Sequence, residues 1–134
     1  MSLTTNSNKA VAGWILTGLA SLFFVVDGVM KLVKPQFVID ATVQLGYPVS
    51  TIAGIGVALL ACTLLYLIPS TSVTGAIIVT GYLGGAVASN VRAGTGAFNM
   101  IFPMVFAALV WAGLWLRDPR IRALDPLTQT RDGR

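Results

Sequence analysis

The stretch Val26-Asp27-Gly28-Val29-Met30-Lys31-Leu32 closes an apolar run that begins at Ala10 and ends at about Val33. Asp27 is the first carboxylate of the chain, and Lys31 follows four positions later on the same helical face. Acid before base at that spacing is the favourable order for a helical pair. On a soluble surface such a pair contributes little. Beside hydrocarbon a charge is costly unless paired or wetted, so ionisable residues there point to function. At about 1.5 Å per residue the run is longer than a hydrocarbon core of about 30 Å. The pair therefore falls in the last turns of a membrane-spanning helix, near one interface.

Composition agrees with a membrane protein. Of 134 residues, 55% are hydrophobic and 10% charged, where soluble domains carry about 25% charged residues. The mean hydropathy is +0.80. The length allows one small bundle and no separate soluble domain. The net charge of +4 reads as membrane orientation rather than affinity for nucleic acid, because basic and aromatic residues are not interleaved.

Several chemistries have no support. Cys62 is the only cysteine and sits in an apolar run, which reads as a small buried side chain and excludes a Cys-x-x-Cys pair. The chain has no histidine and no glutamate, so imidazole ligation and the common metal sites are gone. Neither a Walker loop nor a Gly-x-Ser-x-Gly elbow is present. No metal, cofactor or catalytic residue is expected; Asp27 has no histidine beside it to relay a proton.

The chain divides into a disordered tail over 1–9, one membrane domain over 10–116 and a basic tail over 117–134. Four spans are predicted at about 10–33, 49–68, 73–92 and 98–116. Between the first two, residues 35–46 form a short interfacial helix with Pro35 as its first residue. Phe37, Val38, Ala41 and Leu45 share its apolar face. The second span carries Gly54 and Ala58 four apart; the third carries Gly81, Gly85 and Ser89 at the same spacing. Such stripes read as helix-packing faces; the alternative is that they leave room for a slim ligand. Trp111 and Trp115 read as anchors at the interface opposite the acid–base pair.

Four spans put both termini on one side. That side holds Lys9, Arg117, Arg120, Arg122, Arg131 and Arg134, against Lys31, Lys34 and Arg92 on the other, which favours cytoplasmic termini. Up-down connectivity then collects Asp27, Lys31, Ser89, Asn90, Arg92 and Asn99 at one end, with no comparable cluster at the other. Three readings stay open there. The cluster is an ion-pair and amide lock between helices, a polar head to a pocket for a lipophilic molecule, or a contact patch for another membrane subunit.

These residues also carry a family resemblance. Asp27-Gly28-Val29-Met30-Lys31-Leu32 with Lys34-Pro35, then Leu45-Gly46-Tyr47-Pro48, is similar to the DoxX-like membrane proteins. The stretches from Ala61 to Pro69 and from Thr80 to Ala86, then Arg92-Ala93-Gly94 and Trp115-Leu116-Arg117-Asp118, extend it from about Phe23 to Leu124. The resemblance implies an all-α, four-helix transmembrane bundle without metal or haem of its own. It also implies an association with membrane redox or quinone-linked assemblies, because the family takes its name from a subunit of a thiosulfate:quinone oxidoreductase. The family name brings no reaction with it. Two histidines common in that pattern are replaced here by Asn90 and Asn99, and an acid of some relatives by Leu59. Asparagine hydrogen-bonds but does not shuttle protons near neutral pH.

The sequence thus leads to a protein of the bilayer, expected in a bacterial inner membrane, with a non-catalytic role favoured and catalysis by Asp27 as a general base left open. Its leading role is an accessory subunit with a membrane partner, or a homo-oligomer. The alternative is a binding protein for a quinone- or lipid-like molecule, with its head at Asp27, Lys31, Asn90 and Arg92.

Overall fold

The computed structural model describes residues 2–124, with side chains from residue 7 onward. The elements are α1 (Ser2–Val33), α2 (Gln36–Gln44), a 3-10 turn (Val49–Thr51), α3 (Ile52–Leu67), α4 (Ser72–Ala93), α5 (Ala97–Arg117) and α6 (Pro119–Leu124). Among the described residues, four segments are long and apolar enough to cross a membrane: Ser7–Val33, Val49–Leu67, Ser72–Ala93 and Ala97–Arg117. The fold is an all-α bundle.

Two boundaries differ from expectation. The first helix begins at Ser2 rather than after a disordered tail, because extending a helix already nucleated by its apolar part costs little. The basic tail starts as helix: Arg117 ends α5, and α6 follows after Asp118. The remainder of that tail, including Arg131 and Arg134, lies outside the described residues.

Each long helix packs on two neighbours, in the ring order α1, α3, α4, α5. The centre holds Phe24, Leu59, Tyr66, Val79, Leu83, Val110 and Leu114, with Cys62 among them. The outside carries Val11, Ile15, Leu19, Leu22, Ile77 and Ile101, all exposed. Such a surface belongs in hydrocarbon, where helices satisfy their own backbone polar groups.

The close approaches rest on glycines that a spacing rule does not select. A Cβ on Gly13 would stand 2.7 Å from the Gly113 carbonyl, where α1 crosses α5. A Cβ on Gly56 would stand 2.9 Å from the Gly28 carbonyl, where α1 crosses α3. One on Gly75 would run into the backbone of Leu65 and Tyr66 at the start of α4. The residues assigned to packing behave differently. Gly54, Ala58, Gly81 and Gly85 are exposed, and a Cβ at any of the three glycines meets nothing within 4 Å. Four-residue spacing shows that small residues share a face, but not whether a helix covers it.

The end opposite the acid–base pair is also built from polar groups, contrary to expectation. The Tyr66 hydroxyl donates to the Val110 carbonyl at 2.7 Å, so Thr17 supplies the hydrogen in their 3.1 Å contact. Arg117 lies over the rings of Trp14, at 4.3 Å, and Tyr66, at 4.9 Å, and donates to the Tyr66 carbonyl. Arg120 reaches the Pro69 carbonyl, and Arg122 those of Trp115 and Leu116. These carbonyls end helices or the turn after one, where backbone acceptors have no partner in their own helix. Asp118 caps α6 by accepting from the Arg120 backbone N–H at 2.9 Å. The hydrogen bond from the Arg120 side chain holds its carboxyl below the usual range. Trp111 links α5 to α4: its indole N–H donates to Thr80 Oγ1 at 2.7 Å.

Candidate functional site

Two segments that break the helical path bring the site together. Lys34, with φ of 57°, and Pro35 turn the chain sharply after α1. Pro35 stands at the N-cap of α2, one position before the first helical residue it was expected to be. At the far end Gly46, with φ of 91°, releases the chain into Tyr47 and Pro48. A side chain at that φ would be strained, and its Cβ would also stand 2.9 Å from Arg92 Nη2. The two turns bring α2 to a cavity that it lines together with the C-terminal halves of α1 and α4.

Beneath α2 is a cavity of about 500 Å³. Its apolar wall includes Phe37, Val38, Ala41 and Leu45, the face of α2 expected from the spacing, together with Ile55 of α3. Gly81, Gly85 and Ala86 of α4 form the opposite wall, and their lack of side-chain volume is what keeps the space open. Asp27, Lys31, Thr42, Tyr47, Tyr82 and Ser89 bring the polar groups. The size and the mixture of apolar wall with few polar groups are those of small-molecule sites.

Asp27 and Lys31 form the expected ion pair, with Lys31 Nζ 2.7 Å from Asp27 Oδ2 and the two side chains 16% (lysine) and 35% (aspartate) exposed. Arg92 does not join them. It donates to the Leu45 carbonyl at 2.9 Å and so fastens the end of α2 to α4. Ser89 lines the cavity, donating to the Gly85 carbonyl at 2.8 Å. Since the serine has one hydrogen, the 2.6 Å contact with Tyr47 is a bond donated by the tyrosine. Asn90 and Asn99 stay out of the cavity. Asn90 donates to Ala86 O and accepts from Thr95 Oγ1 at 2.6 Å, while Asn99 donates to Thr95 O. Both asparagines serve the turn between α4 and α5, where Gly94 takes φ of 65°.

Of the six polar residues predicted to meet at this end, Asp27, Lys31 and Ser89 line the cavity, and Asn90, Arg92 and Asn99 do not. Sequence reasoning missed Tyr47 and Tyr82 as cavity groups. Both stand in stretches that carry the family resemblance, Leu45 to Pro48 and Thr80 to Ala86, but neither stretch by itself gives the tyrosine a role. The signal available for Tyr82 was its place between Gly81 and Gly85 on a face left open.

Four helices sized for the bilayer, with a polar-headed side cavity, define a small integral membrane bundle. The family model described as the DoxX-like family matches residues 15–113, and the chain belongs to that family. Comparison with curated proteins and with solved structures gave no match.

Proposed function

We propose that this DoxX-like protein binds a lipophilic small molecule, seated in the cavity under α2 with its polar head toward Asp27, Lys31 and Tyr82. The observation that carries this reading is the cavity itself: Gly81 and Gly85 leave it open, and the ion pair stands in its wall. A lock between helices would need no such space. The roof also suits the role, because the segment just after α2 is tied to α4 by two polar bonds, Arg92 to the Leu45 carbonyl and Tyr47 to Ser89.

The test is to fill the space. Gly85→Leu introduces a side chain where nothing stands within 4 Å of its Cβ. Native mass spectrometry of gently extracted protein, with identification of what it retains, should find a stoichiometric lipophile on the wild type. The variant should lose it at an unchanged melting temperature. Equal retention by both proteins overturns the reading.

A second reading, an accessory subunit or homo-oligomer, is favoured by the exposed Gly54 and Ala58 of α3, which no helix among the described residues covers. A partner polypeptide on the same mass spectrum, lost in Gly54→Leu, would support it. With either role, the bias of Lys and Arg supports cytoplasmic termini in a bacterial inner membrane.

A further inference from the structure

Resting on the binding reading above, we infer that the cavity selects a single-chain amphiphile whose head is uncharged and both donates and accepts hydrogen bonds, such as a hydroxyl or carboxamide. The first argument is charge. Asp27 and Lys31 are the only charged residues lining the cavity among the described residues, and they are bonded to each other at 2.7 Å. One is an acid and the other a base, so their formal charges sum to zero. A phosphate, sulfonate or ammonium head would have to leave water for a place with no net countercharge, and that penalty is large.

The second argument is an inventory of unused hydrogen-bonding capacity. Ser89 spends its hydrogen on Gly85 O, Tyr47 spends its own on Ser89, and Thr42 donates to Val38 O at 2.8 Å. These three offer acceptors only. Lys31 has three N–H groups and uses one on Asp27. Tyr82 has no hydrogen-bond partner among the described residues and keeps both its hydrogen and its lone pairs. The second carboxylate oxygen of Asp27 also accepts nothing there. Donors and acceptors are thus both left over, beside a neutral pair. A head that only accepts would leave the acceptors unmet, and one that only donates would leave Lys31 and Tyr82 unmet.

The tail follows from the wall. Phe37, Val38, Ala41, Leu45 and Ile55 present hydrocarbon. One chain fits a space of about 500 Å³, within the usual range for small-molecule pockets of about 300–1,000 Å³.

The experiment uses full-length protein in phosphatidylcholine nanodiscs and three probes with one acyl chain: N-dodecanoyl ethanolamide, N-dodecanoyl taurate and dodecanoylcholine. The wild type should hold the ethanolamide at least tenfold tighter than either charged probe. Asp27→Asn leaves Lys31 unbalanced and should move the preference at least tenfold toward the taurate. Lys31→Gln should move it similarly toward the choline ester, which keeps the test alive where one variant fails to fold. A wild type that prefers a charged probe overturns the neutral-head inference while binding itself stands. Retention of none of the three by folded wild type overturns the binding reading beneath it.

Discussion

The Tyr47 hydroxyl donates to Ser89 Oγ at 2.6 Å across 42 positions of sequence, tying the segment that follows α2 to the last turns of α4. With the Arg92 bond to Leu45 O, it holds the roof of the cavity in place. Replacing Tyr47 by Phe removes that bond and keeps the ring. The expected loss is about 1 kcal/mol, the ordinary net worth of a hydrogen bond. It should be local: hydrogen exchange should quicken over residues 36–45 and stay unchanged in α3. Quickening throughout the bundle would show that the bond supports the whole fold instead.

The glycines divide into two groups with opposite expected responses. Gly75→Ala forces a Cβ into the backbone of Leu65 and Tyr66, 2.7 Å from the Leu65 carbonyl carbon, and backbone cannot move aside cheaply. It should cost about 3 kcal/mol or more, at the upper end of overpacking penalties. Gly81→Ala meets nothing and gains helix propensity, so it should be neutral or stabilising by up to about 1 kcal/mol. Thermal denaturation in detergent compares them directly, and equal destabilisation would refute the assignment.

Asp118 gives a pH dependence of known sign. Its carboxyl is held below the ordinary value of 3.8, first by the Arg120 side-chain hydrogen bond and further by the Arg120 backbone N–H. A depressed carboxylate stabilises the fold fully above its unfolded value, and that contribution fades as pH falls through the folded one. The melting temperature of the wild type should therefore drop on acidification below about pH 4. The drop should be smaller in Asp118→Asn, whose melting temperature is already lower at pH 7. Parallel pH profiles for the two proteins would exclude the role.

Arg117 is held between two rings and a carbonyl, a setting for a planar cation. Arg117→Lys keeps the charge but loses the stacked guanidinium over Trp14 and Tyr66. A loss of about 1–2 kcal/mol is expected, combining a cation–π contact with a hydrogen bond. Tryptophan fluorescence should shift at the same time, because Trp14 gains exposure. An unchanged melting temperature would mean that charge alone serves there.

The spans and the Asp27–Lys31 pair were legible because they depend on local chain: length of apolar run and helical spacing. The apolar face of α2 was legible for the same reason. Arg92 was misplaced because its partner, the Leu45 carbonyl, is a backbone atom that becomes available only where α2 ends beside α4. Tyr82 was missed because a tyrosine in an apolar helix is marked as a site only by the space next to it. Gly81 and Gly85 read as a packing face, with room for a slim ligand as the alternative, and they line the cavity, while Gly13, Gly28, Gly56, Gly75 and Gly113 make the close contacts. Which of two glycine faces meets a neighbour is decided by the rotation of each helix about its axis, and spacing within one helix does not encode that.

The helix-end arginines have an electrical consequence. A membrane potential does work only on charge that moves through it, about 2.3 kcal/mol per elementary charge for each 100 mV. Arg92, Arg117, Arg120 and Arg122 are each fastened to a carbonyl at or near a helix end. Among the described residues, the other charges within the spans are Lys9, two residues from the start of the first, and the Asp27–Lys31 pair, which cancels. Among the described residues the bundle therefore offers the potential little charge to drive, and its conformation should change little between energised and de-energised membranes.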